Sequence, residues 1–428
     1  MTAQKLTRPD AAHAEEDPLA SAVDPVEAAR RRIAESALHA DAGGRVGLEL
    51  EYHLVDLAHP ERRPTWADIE SLGAALPGLP RGSSITFEPG GQIELSTPPG
   101  ADVVEAVAAL REDAERLHDL LAAAGYGAVA LGSDLARTPQ RVNPHSRYRA
   151  MEDHFDALGC AGSGSEMMTA TAALQVNLDA GPAAGWEERL SRIRTLVPML
   201  VALSATSPWL GGRTSGWHSM RQGVWQGIDH GRSDPVGRGE PTGAWATYAL
   251  DAPVMLVRSP DGASPELVPV TERIPFAQWL RGAAPFGRPA TTADLDYHLT
   301  TLFPPVRPRG YVELRCLDAL PARWWPAVAA ITATLVDDPL ASDAAAELVA
   351  PISDSWETAA RHGTADPAVR RAVTGCVEVA LRHVPAELVG EVEVLAALLD
   401  AGSSPSEEIR RRVEAVGPLA VLEEEAHV

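Results

Sequence analysis

The chain has 428 residues, a formal net charge of −22 and 45% apolar residues. Length and apolar content allow one large domain or two ordinary ones with a sizeable core. The acidic balance argues against a nucleic-acid or anionic-lipid surface. Lys5 is the sole lysine, and every other fixed positive charge is arginine. A Walker-type phosphate loop and a Schiff-base enzyme both need a lysine, so both are set aside.

Residues 1–20 are polar and mixed and are expected to form a disordered tail. The segment lacks an apolar h-region, and no run of about 18 apolar residues occurs, so neither a secretory signal nor a membrane span is expected. Three widely spaced cysteines, Cys160, Cys316 and Cys376, give no disulfide framework or zinc ribbon. Reduced thiols in a cytoplasm are the expectation.

Asp24-Pro25 reads as an N-cap followed by a helix to about Ala40, stopped by Gly43-Gly44. Residues 45–55 alternate as a strand, and a short helix is expected near Thr65–Leu76. Residues 84–96 read as a hairpin turning at Pro-Gly-Gly, and 101–125 as a long helix ending in glycine. Further strands are read at 128–134, 171–179 and 310–318. A helix over 186–206 is interrupted at Pro198, and 207–245 reads as a long functional loop. Helices are expected over 322–337, 367–384, 386–400 and 405–416. With no linker or repeat, 21–428 reads as one α+β domain, helical from about 319 onward.

Four strands share a pattern. Residues i and i+2 lie on one face, and this aligns Glu49 with Glu51, Gln92 with Glu94 and Ser96, Gln175 with Asn177, and Glu313 with Arg315. The opposite faces are apolar. A merely solvated sheet would carry mixed charge, whereas this face collects acids that repel if their strands are neighbours. Hard oxygen donors of this kind suit Mg²⁺ or Mn²⁺. Glu88 stands at the mouth of the hairpin. The 213–234 stretch interleaves Arg213, Arg221 and Arg232 with Trp217 and Trp225, and Arg307, Arg309 and Arg315 flank Glu313. Arginine forks beside a metal-binding sheet are what a nucleotide triphosphate and an anionic substrate need. The histidines show no metal-ligand spacing, and no G-x-S-x-G occurs.

The segments GLELEYHLV, FEPGGQIELSTPP, TATAALQVNLD, SMRQGVWQGID and RPRGYVELRCLD, in that order, resemble glutamate–cysteine ligases. The resemblance spans roughly 40–400 and is to the plant-like branch and its actinobacterial members, which supply γ-glutamylcysteine to ergothioneine synthesis. It implies a glutamine-synthetase-like fold, an antiparallel β-sheet bowl flanked by helices, with two or three Mg²⁺ (Mn²⁺ can substitute) and ATP as cosubstrate. Matched by position, Glu49, Glu51, Glu88, Glu94, Gln175 and Glu313 stand as metal ligands. Some enzymes of the wider superfamily carry histidine where this chain has Gln175. Arg315 matches an arginine near the transferred phosphoryl group. Arg221, Trp225, Arg232, Arg309, Tyr311 and Asn177 are the expected substrate and ATP contacts. L-Glutamate and L-cysteine are the implied substrates. Rival readings are a ligase of this fold using another amine, a non-catalytic nucleotide or metal sensor, and an amino-acid-binding scaffold without ATP use.

Overall fold

The structure is a computed structural model that describes residues 17, 19, 22–258, 267–282 and 286–427. Most of the expected N-terminal tail lies outside the described residues. The described part departs from that expectation. Leu19 is buried in the core, and the Asp17 carboxylate accepts hydrogen bonds from the Thr292 backbone and hydroxyl.

Seven strands form one antiparallel sheet: β1 (Val46–Asp56), β2 (Ser84–Phe87), β3 (Ile93–Ser96), β4 (Tyr126–Val129), β5 (Ala173–Leu178), β6 (Val306–Pro308) and β7 (Val312–Asp318). The order across the sheet is β6-β7-β5-β1-β3-β2, with β4 on the second half of β1. The four strands of that pattern, three carrying acids and β5 carrying the amides Gln175 and Asn177, are therefore consecutive neighbours. Their register sets Glu49 opposite Gln175 and Ser96, Glu51 opposite Glu94, and Glu313 opposite Asn177.

Alternation explains which face is covered. Leu48, Leu50, Ile93, Leu95, Leu174, Val176 and Leu314 are all fully buried. Helices Val103–Ala123, Trp186–Ser204 and Trp325–Asp337 pack on β1, β7 and β5 respectively. Each fully buried aliphatic side chain contributes roughly 1.5–3 kcal/mol, so this face fixes the register. A slip of one residue would bury four glutamates in the core.

The hairpin turn forms as the glycines require. Gly91 has φ of 84°, and a Cβ on Gly90 would lie 2.3 Å from the Thr169 carbonyl oxygen. The 207–245 stretch is more ordered than expected. It carries helix Met220–Gln226, N-capped by Ser219, and the start of helix Pro241–Asp251, capped by Glu240. The C-terminal region is helical as expected, with helices Pro339–Val349, Trp356–His362 and Pro418–Ala426 in addition to those foreseen. No described helix is long and apolar enough to cross a membrane.

Candidate active site

The polar face of the sheet opens into a cavity of about 510 Å³ lined by Glu49, Glu51, Glu88, Glu94, Gln175, Arg307, Arg309 and Arg315. A second cavity of about 260 Å³ shares Glu51, Glu88, Phe303 and Arg315 with it and adds Arg147, Tyr148, three methionines, Arg221 and Trp225. A third of about 200 Å³ continues past Arg221 and Trp225 to Gln222 and Cys316. Shared walls make the three a single cleft.

The acids at one side of this cleft are poorly neutralised. Burial, with the Glu94 and Glu88 charges, pushes the Glu51 carboxyl up to about 8. Burial and Glu94 push Glu88 to about 7. Burial, Glu94 and Glu313 raise Glu49, although the Asn177 amide donates to it at 2.9 Å. Each carboxylate disfavours charge on the next. The Glu51 carboxylate also accepts from the Ala173 backbone at 2.8 Å, and Thr86 and Ser96 hydroxyls donate to Glu94.

On β7 the situation is reversed. Glu313 is fully buried, yet Arg315 and Arg307 overcome burial and hold its carboxyl down at about 2. Arg307 grips both oxygens, at 2.6 and 3.0 Å, and Arg309 and Arg315 each stand 3.4 Å away. Arg315 also donates to Gln175 Oε1 at 2.5 Å. Burial works against its charge, but Glu313, Glu49, Glu51 and Glu94 outweigh that and keep the guanidinium protonated. Arg315 is thus the cation at the centre of the bowl.

Among the described residues no three His, Cys, Asp or Glu side chains close into a ready-made metal-binding group as placed. The donor chemistry nevertheless fits a hard divalent cation. Glu49, Glu51, Glu88 and Glu94 line one cavity and supply only carboxylate oxygens, and burial beside like charges favours the protonated form of Glu49, Glu51 and Glu88. Gln175 and Glu313 are engaged by arginines, so their availability as ligands depends on Arg315 and Arg307 letting go.

The other expected residues divide. Arg221 and Trp225 line the cleft, with the guanidinium 6.0 Å from the indole centroid. Arg221 Nη2 donates to the Arg315 carbonyl at 2.8 Å, while buried Nη1 has no hydrogen-bond partner. Tyr311 is half-buried beside Arg309 and Glu313. The expectation of a substrate-facing Arg232 is not met. It is fully buried, and its Nε, Nη1 and Nη2 donate to Asp229, Thr301 and the Pro253 carbonyl. Arg273 adds a second charge on Asp229. Arg232 pins this loop rather than reaching the cleft.

Residues not foreseen also line the site. Arg147 and Tyr148 come from helix Ser146–Ala157, whose buried Ala150, Met151, His154 and Phe155 follow helical spacing. Asp318, at the end of β7, lines none of these cavities but accepts from the Ser207 hydroxyl, whose oxygen in turn accepts the Arg221 backbone N–H. Cys316 faces the third cavity, but burial pushes its thiol up to about 12, so it offers no thiolate near neutrality.

The model of glutamate-cysteine ligase family 2 matches residues 45–425. The glutamate–cysteine ligase EgtA of Mycobacterium tuberculosis is 48% identical over 394 residues, covering 91% of each chain. The EgtA of Mycolicibacterium smegmatis is 47% identical over 402 residues, covering 93% of this chain and 94% of its own. The chloroplastic glutamate–cysteine ligase of Brassica juncea is 31% identical over 59% of this chain and 51% of its own. Among solved structures, a glutamate–cysteine ligase of Francisella tularensis in complex with AMP superposes with a TM-score of 0.53 at 13% identity, covering 91% of this chain and 88% of its own. That last likeness is one of fold.

Proposed function

The chain belongs to glutamate-cysteine ligase family 2, and on that premise we propose that it condenses the γ-carboxylate of L-glutamate with the amine of L-cysteine, using ATP and Mg²⁺. The observation that carries this reading is the meeting, at Arg315, of an under-neutralised acidic bowl with an arginine-lined wall. The relatives named EgtA support a place upstream of ergothioneine.

A γ-carboxylate is a poor electrophile, and transfer of the ATP γ-phosphoryl group to it makes an acyl phosphate. Glu49, Glu51, Glu88 and Glu94 would hold Mg²⁺, with Gln175 and Glu313 joining when released by the arginines. When bound, the ion supplies charge neutralisation for the triphosphate. Arg315 is suited to stabilise the transferring phosphoryl group, because it is charged, only partly exposed and lines the bowl. Arg309, exposed on the same wall, is suited to the remaining phosphate oxygens.

The 260 Å³ cavity is sized for an amino acid. Arg147 and the free Nη1 of Arg221 can receive its α-carboxylate, and Trp225, Phe303 and the methionines shed water from the reacting end. The amine of cysteine then attacks the acyl phosphate and phosphate leaves. The amine's proton passes to a carboxylate of the bowl. The protein supplies no covalent nucleophile, which agrees with a Cys316 held as thiol.

The test is a coupled assay with ATP, Mg²⁺, glutamate and a panel of amines, following ADP and product mass. ADP release restricted to glutamate plus cysteine, with the dipeptide mass, supports the reading. Turnover with a different amine keeps the phosphoryl chemistry and changes the acceptor. Nucleotide binding without turnover favours a sensor.

A further inference from the structure

Strand β7 carries a register shift against β5 between Leu314 and Leu317. Before it, Glu313 faces Asn177; after it, Leu317 pairs with Leu174 and Asp318 with Ala173. Two residues, Arg315 and Cys316, stand against Gln175 alone. Simple alternation would carry Leu317 to the polar face after Glu313 and Arg315. The bulge reverses the parity, sends Leu317 to the core and brings Asp318 to the active-site face.

Asp318 is almost wholly buried there, and its carboxylate accepts three hydrogen bonds. Its Oδ2 accepts from the Thr206 backbone at 3.0 Å and from the Ser207 hydroxyl at 2.7 Å. Its Oδ1 accepts from the Ser219 hydroxyl at 2.8 Å. Both serines act on Arg221. Ser207 Oγ accepts the Arg221 backbone N–H at 3.1 Å, and Ser219 is the N-cap of the helix that carries Arg221 and Trp225. Gly132 closes the pocket behind, where a Cβ would come within 2.4 Å of the carboxylate. Burial works against the charge of the Arg221 guanidinium, and the Asp318 and Glu51 carboxylates favour it.

We propose that Asp318 is a positioning residue for glutamate recognition. Through Ser207 and Ser219 it fixes the start of helix Met220–Gln226, and its charge holds Arg221 with Nη1 left free for the substrate carboxylate. It touches no substrate itself. This rests on the ligase reading above and assigns the control of one substrate's affinity to a residue outside the cleft.

The experiment compares Asp318→Asn and Ser207→Ala with the unaltered enzyme, whose turnover of glutamate and cysteine is established first. If that turnover is missing, the ligase reading fails before this one is reached. Asp318→Asn keeps the shape but loses the charge. A folded variant is expected to raise KM for glutamate about tenfold or more, as loss of a charged hydrogen-bond network does. KM for ATP stays within about twofold. Ser207→Ala removes only the bridge to Arg221 and raises the same KM less. If Asp318→Asn folds with an unchanged glutamate KM, or raises all KM values alike, the proposal is overturned. Should Asp318→Asn fail to fold, an unchanged glutamate KM in Ser207→Ala overturns it equally.

Discussion

Glu51 and Glu313 lie on the same face of one sheet, two strands apart; Glu313 is fully buried and Glu51 is partly exposed in the cleft. Burial and two neighbouring carboxylates push Glu51 up to about 8; three arginines pull Glu313 down to about 2. Burial acts in the same direction on both, so neighbours decide. The β7 side is a self-contained ion network. The β1–β3 side is a set of like charges that the protein leaves unbalanced. A fold keeps such an arrangement where something cationic arrives from outside.

The largest expected effect breaks the unbalanced side. Glu51→Ala removes a candidate ligand and should lower kcat by more than about 100-fold, beyond the range seen when only an outer partner of a metal ligand is lost. Because it also removes a repelling charge, the thermal midpoint should hold or rise. A scan beside the steady-state assay reads both. Breaking the balanced side should act on stability instead. Arg307→Met leaves Glu313 buried with its bidentate partner gone, and should cost about 3 kcal/mol in urea denaturation, the low end for a broken buried ion pair because Arg315 and Arg309 remain.

The pH dependence should separate the two sides by sign. The raised Glu51 and Glu88 hold protons in the folded state that the unfolded chain releases near 4.5. Their contribution is complete below that value and is lost as pH rises through about 7 and 8. Glu313 contributes above 4.5, and its share is lost as pH falls toward about 2. In chelator, the melting temperature should therefore decline from mildly acidic pH to pH 8, and Mg²⁺ should recover it more at the alkaline end. The smallest effect belongs to the rim. Arg147 is partly exposed and shared with Thr300, so Arg147→Ala should raise KM for glutamate about twofold to fivefold, the worth of one exposed ion contact, with kcat kept.

Much of this site is written in period-two alternation. Glu49, Glu51, Glu94, Gln175 and Arg315 can be assigned to one face because each strand's other face is apolar. That these strands are neighbours is not local information: β5 lies between β1 and β7 only through pairings more than a hundred residues apart. Parity also fails at a bulge, which is why Asp318 escapes a reading by alternation. Arg232 misleads because its composition suits a substrate contact. Its partner Asp229 stands three residues earlier and lies on the same buried turn. The helix bearing Arg147 has no side-chain cap, so its start carries no strong signal.

The account's central claim, that the β1–β3 side is a divalent-cation site, is tested most directly by proton release. Mn²⁺ or Mg²⁺ is titrated calorimetrically into the metal-free protein near neutral pH, in buffers of different ionisation enthalpy and without nucleotide. Binding should expel about one proton or more per chain, since ligands must be deprotonated, and Glu51→Ala should weaken binding and reduce the release. Metal binding with no proton release, unchanged in Glu51→Ala, would contradict it.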